Sequence, residues 1–108
     1  MDYRNERMGN LVREELSKII ARELEFENAL VTITEVEVDK KIDKAKVMVS
    51  VIPSEKAKEV FKILDVARNS LQTILFRKLN LKPMPRIQFE IDRGFENAAN
   101  VEKAFLEE

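Results

Sequence analysis

Seven residues, AKVMVSV at 45–51, alternate strictly, with Ala45, Val47, Val49 and Val51 in one set and Lys46, Met48 and Ser50 in the other. A period of two puts these sets on opposite faces of a strand, one dry and one wet. A strand with one dry face needs an apolar cover from elsewhere in the chain. Two covers are legible. From Tyr3 to about Phe26, Met8, Leu11, Val12, Leu16, Ile19, Ile20 and Leu24 recur at three and four, which is one stripe of an amphipathic helix. From Ala57 to Leu79, the positions Val60, Phe61, Leu64, Ala67, Leu71, Ile74, Leu75 and Leu79 form a second.

Two further strands complete the pattern. The run LVTITEVEVD starts one near Leu30; Val31 and Ile33 share one parity and Val36 and Val38 the other, so a bulge or a two-sided strand lies around Thr34-Glu35. A short polar joint, KKID, makes the second strand antiparallel to the first. Pro53-Ser54 ends that strand, with Ser54 as N-cap of the next helix. Pro83 and Pro85 form an extended connector into a third strand at Ile87, Phe89 and Ile91. Gly94 marks a turn, and residues 93–108 read as a tail or a short helix. The 108 residues fit one domain of α+β class, a three-stranded sheet covered by helices on one face.

One stretch resists the simple reading. The second stripe carries Arg68-Asn69-Ser70 at its middle, and asparagine and serine favour caps over helix interiors. Asn69 is placed to cap a new helix, with Gln72 three residues on as in a capping box. A single rod from Ala57 to Leu79 would be about 34 Å long at 1.5 Å per residue, so a joint would return both halves to the core. The joint serves compactness alone in one reading. In the other it presents Arg68 at an exposed bend beside free helix N–H groups that suit phosphate.

Composition narrows the chemistry. Cysteine and histidine are both absent, which removes disulfides, thiolate zinc sites and the usual proton shuttle near neutral pH. Gly9 and Gly94 are isolated, so no glycine loop cradles phosphate, and Glu14, Glu15, Glu35 and Glu37 read as solvated faces. No enzyme, metal or cofactor is expected. No apolar run approaches the roughly 20 residues that span a bilayer, and the first residues are charged, so a cytoplasmic protein without membrane association is expected.

Charge supplies the positive signal. The chain is net -1, but residues 40–88 hold twelve basic and four acidic side chains, a local excess of +8. Such asymmetry is one footprint of a polyanion site, and equally the mark of a solvated lysine-rich face. Lys40, Lys41, Lys44 and Lys46 cluster at the hairpin, where lysine also guards a sheet edge. Arg77, Lys78, Lys82 and Arg86 cluster at the end of the last helix, where cations also suit the helix C-terminus. Arg7, with Arg4, either extends that surface or is solvated N-terminal charge. Phe76, beside Arg77, is a base platform or packs on a neighbouring element.

Taken in order, LVTITEVEVD, AKVMVSV, ARN within a helical pattern and PRIQFEID resemble the ribosome-binding factor A family, bacterial assembly factors of the small ribosomal subunit. The resemblance covers nearly the whole chain. It implies a KH-like fold of type II over residues 1–108, in the order α-β-β-α-kink-α-β, with an Ala-X-Gly kink at Ala67-Arg68-Asn69. It also implies a monomer that binds the 30S subunit and 16S rRNA in late maturation, including 5′-end processing, and serves adaptation to cold. Arg68, Lys40, Lys41, Lys44, Lys46, Arg77, Lys78, Lys82, Arg86 and Arg7 are then the RNA-contacting candidates. Two positions depart from the family pattern: Asn69 replaces the kink glycine, and Glu27-Asn28 replaces a common Asp-Pro-Arg turn. The rival reading is a small protein-interaction adaptor that uses a sheet edge or the first helix without RNA.

Overall fold

The computed structural model describes residues 3–94; of the expected C-terminal tail or helix, all but residues 93 and 94 lies outside that range. The chain runs α1 (Tyr3–Glu23), β1 (Leu30–Val38), β2 (Lys44–Ile52), a 3-10 turn (Ser54–Lys56), α2 (Ala57–Leu79) and β3 (Arg86–Ile91). β2 lies at the centre of the sheet, antiparallel to β1 and parallel to β3. The parallel pairing follows from connectivity, because α2 carries the chain back along the sheet before β3 begins.

The alternation read from β2 is the one that builds the core. Ala45, Val47 and Val49 are wholly buried beneath the helices, together with Val12, Leu16 and Ile19 of α1, Leu64 and Leu75 of α2, and Ile87 of β3. The opposite face, with Lys44, Lys46, Gln88 and Glu90, has no layer over it among the described residues. The parity slip in β1 is a bulge: the register shifts between Ile33 and Glu35, which lets Ile33 and Val36 both turn inward. The extra residue, Thr34, donates its hydroxyl to the Asp92 carboxylate at 2.7 Å.

α1 approaches β1 closely at Gly9, where a Cβ would stand 2.6 Å from the Val36 carbonyl oxygen. Only glycine fits that contact without backbone movement. At its start α1 is tied to the hairpin loop: buried Asn5 donates through Nδ2 to the Asp39 carbonyl at 2.7 Å. The Asp39 carboxylate accepts from the N–H groups of Asp43 at 2.7 Å and Lys44 at 3.2 Å. That tight loop sets Ile42 in the left-handed region at φ 58°.

Two expectations are corrected here. First, the helix is not interrupted at Ala67-Arg68-Asn69 and no new helix starts there; α2 is one helix of 23 residues through all three. Its length of about 34 Å is close to the roughly 30 Å of the nine-residue β2, so the stripe through Val60, Leu64, Leu71 and Leu75 finds cover along one continuous helix. Asn69 does not cap; its carbonyl accepts the Thr73 hydroxyl at 3.1 Å from within the helix. A weak local preference yields to a continuous buried stripe. Second, Ser54 is not the cap of α2. It opens the 3-10 turn, closed by Lys56 N–H to the Pro53 carbonyl at 3.0 Å, and α2 begins at Ala57 with no side-chain cap.

Candidate nucleic-acid interface

The topology collects chain segments at one end of the sheet. β1 ends and β2 begins there, joined by the loop 39–43. β3 starts beside it, with Arg86 the in-register partner of Lys44 and its N–H bonded to the Asp43 carbonyl at 2.9 Å. α1 starts there through the Asn5–Asp39 bond. α2 ends there. Gln72 sits level with the beginning of β3, since its amide Nε2 donates to the Pro85 carbonyl at 2.9 Å and its Oε1 accepts from the Ile87 N–H at 2.8 Å. The seven residues from Gln72 to Leu79 therefore carry α2 about 10 Å further along its axis.

This hairpin end holds most of the sequence-expected basic residues. Lys40 and Lys41 are exposed in the loop, Lys44 and Arg86 lie side by side at the start of their strands, and Arg7 stands in the second turn of α1. Arg77 and Lys78 occupy the last turn of α2, and Lys82 the connector. Arg7 lies 5.9 Å from the Tyr3 ring centroid, a cation–π distance. Lys40, Lys41, Lys44, Arg77, Lys78, Lys82 and Arg86 have no carboxylate partner within 4.0 Å among the described residues. Cations held away from carboxylates favour a polyanion, and Asp39 and Asp43 of the same loop oppose that effect.

Two residues of the expected set stand apart. Lys46 is committed to Glu37 at 3.4 Å, the residue facing it across β1 and β2. Arg68 is in mid-helix, not at an exposed bend: its side chain is 33% exposed, its Nε is buried, and it lies 3.9 Å from Asp65 Oδ1. It stands eleven residues, about 16 Å, before the end of α2.

Carboxylates limit the basic patch on the open face. Behind Lys44 and Arg86 come Lys46 and Gln88, then Met48 with Glu90 and Glu35 on either side. A groove of about 990 Å³ crosses this boundary, lined in part by Lys40, Lys44, Lys46, Gln88, Glu90 and Asp92. Asp92 is held below the usual carboxylate range by the Thr34 hydroxyl and, next, by the Gly94 N–H at 2.9 Å. No group of three or more potential ligands gathers a metal site among the described residues, and no helix there is long and apolar enough to cross a membrane.

Sequence reasoning gave Gln72 a capping-box role that its bonds to Pro85 and Ile87 overturn, and missed the role of Asn5. Their polarity inside apolar stripes was the available signal, but each bonds a backbone group remote in sequence.

The arrangement, one helix-strand-strand-helix-strand unit with helices on one face, is that of a small KH-like α+β domain. A sequence profile of ribosome-binding factor A matches residues 4–105. Among curated relatives, ribosome-binding factor A of Caldanaerobacter subterraneus subsp. tengcongensis is 34% identical over 99% of this chain and 90% of its own length. That of Pseudomonas fluorescens is 33% identical over 97% and 86%. The crystal structure of ribosome-binding factor A from Thermus thermophilus superposes with a TM-score of 0.71 at 22% identity, covering 83% of this chain and 97% of that one. A homology model of the Thermus thermophilus factor, as fitted into a cryo-EM map of a 30S–RbfA complex, gives a TM-score of 0.69 at 23% identity, covering 82% of this chain and 94% of that one. The chain belongs to the ribosome-binding factor A family.

Proposed function

We propose that this chain is a non-enzymatic assembly factor that binds the 30S subunit as a monomer in the cytoplasm and grips 16S rRNA through phosphates. The observation that supports the reading is that Lys40, Lys41, Lys44, Arg77, Lys78, Lys82 and Arg86, drawn from five parts of the chain, all lie toward the hairpin end with no carboxylate within 4.0 Å among the described residues. Arg7 extends this surface; Lys46 and Arg68 are secondary contacts, each requiring release from its carboxylate. Phosphate contacts position a protein without reading bases, as befits a domain with no base-specific motif. Family membership supports a role in late subunit maturation, including 5′-end processing of the 16S precursor, and in adaptation to cold.

The test is co-sedimentation with 30S subunits. The triple variant Lys41→Glu, Lys44→Glu, Arg77→Glu loses binding, while reversing Glu14 and Glu15 changes it little. Equal effects from both sets, or co-sedimentation that survives complete nuclease digestion of the subunit, contradict the proposal and favour a protein-interaction adaptor.

A further inference from the structure

The last turns of α2 carry an aromatic ring that the core does not use. Phe76 is 40% exposed, whereas Leu71 and Leu75 on the same helix are 1% and 0% exposed. At 100° per residue Phe76 lies about 100° from Leu75 and 140° from Leu71 around the axis, and about 60° from the half-buried Leu79, so it stands at the margin of the buried stripe. It stands four residues past Gln72, so about 6 Å beyond the residue that clamps the start of β3.

Its neighbours one turn away along the helix are uncharged and polar. Thr73 is one turn before it and Asn80 one turn after, both exposed. The Phe76 carbonyl accepts the Asn80 N–H at 2.8 Å, which holds Asn80 in the left-handed region at φ 48° and ends the helix there. Arg77 and Lys78 share that final turn, and Lys82 follows in the connector. An exposed ring bordered by hydrogen-bonding side chains and cations matches an unpaired nucleotide: a base has a π-face to stack, polar edges to bond and a phosphate to neutralise. An apolar protein surface would gain nothing from the three cations.

We propose that Phe76 is a stacking platform for an unpaired base, with Arg77, Lys78 and Lys82 holding the flanking phosphates. The proposal rests on the RNA-binding reading above and deepens it by naming single-stranded RNA as the ligand at this turn. The other exposed ring of the same helix, Phe61 at 36%, lies fifteen residues or about 22 Å earlier and outside the basic end, so it serves as the internal control.

The chain has no tryptophan, so Phe76→Trp introduces a single reporter. Its emission is expected to fall at least about twofold when a mixed-sequence single-stranded RNA 12-mer binds, and again on 30S subunits, because a stacked base quenches indole. Phe61→Trp stays unquenched in both. Phe76→Leu weakens 12-mer binding roughly tenfold, within the range given by removing one stacking contact, while Phe76→Tyr keeps wild-type affinity. Unquenched emission with the 12-mer bound overturns the stacking role, as does wild-type affinity in Phe76→Leu. So does a blue shift without quenching on the subunit, which would mark a protein contact. These outcomes leave the phosphate grip intact; failure of the wild-type chain to bind 30S subunits overturns both proposals.

Discussion

The Gln72 carboxamide of α2 bonds the outer edge of β3 twice, accepting from the Ile87 N–H at 2.8 Å and donating to the Pro85 carbonyl at 2.9 Å. A side chain thereby stands in for a neighbouring strand. It also aligns the end of α2, with its cations, against the strand that begins at Arg86.

Replacing Gln72 by Ala strands a part-buried donor and acceptor at the sheet edge. The expected loss is about 1–3 kcal/mol of unfolding free energy, read from urea denaturation monitored by circular dichroism. Gln72→Glu restores the acceptor for Ile87 but meets the Pro85 carbonyl with no donor when ionised, so it recovers only part of that loss.

The unbroken α2 makes a prediction opposite to that of a kinked helix. Asn69→Gly is expected to destabilise by about 0.5–1 kcal/mol, because glycine is a poor residue in a helix interior. Asn69→Ala is expected to stabilise by a few tenths. Asn80 is in the left-handed region, and glycine there is tolerated or mildly favourable. Thermal melts of the three variants decide; a gain from Asn69→Gly would indicate a joint at that residue.

How much was legible depended on whether a residue's partner was local. The strands and their wet and dry faces, a parity slip around Thr34 that left a bulge and a two-sided strand both open, and the two helical stripes were readable, because period and parity are properties of neighbouring positions. The joint at Asn69 was misread for the complementary reason: a local capping preference worth a fraction of a kcal/mol was set against a buried stripe whose continuity depends on how far the sheet extends. Gln72 and Asn5 were illegible because the backbone groups they serve lie 13 and 15, and 34, residues away. The basic end was visible only as a local excess of charge; the parallel placement of β3 beside β2 is what sets Arg86 next to Lys44. Arg68 shares the excess but stands eleven residues before the end of α2, within one continuous helix.

Gly9→Ala places a methyl 2.6 Å from the Val36 carbonyl oxygen, so α1 and β1 must separate. Overpacking of this kind costs about 1–3 kcal/mol. A lowered melting temperature with the helical signal retained is the expected result, and a further loss is expected for Gly9→Val.

The Thr34–Asp92 hydrogen bond has a pH signature. It favours the ionised carboxylate, so the folded-state pKa lies below the unfolded one, and the stabilisation is present above the unfolded value and lost as pH falls through the folded value. Thr34→Val raises the Asp92 pKa, observable by NMR titration of its side-chain carboxyl carbon. The two proteins' stabilities then converge as the medium is acidified below the ordinary aspartate range.

Salt dependence of the affinity for 30S subunits tests the account most directly. Plotted logarithmically against salt concentration, the wild-type association constant is predicted to fall steeply, and removal of each phosphate-contacting cation, as in Lys41→Gln, Lys44→Gln or Arg77→Gln, makes the slope shallower by somewhat less than one. Glu14→Gln leaves it unchanged. An affinity indifferent to salt, or a slope that the three basic substitutions do not alter, would contradict a phosphate grip at the hairpin end.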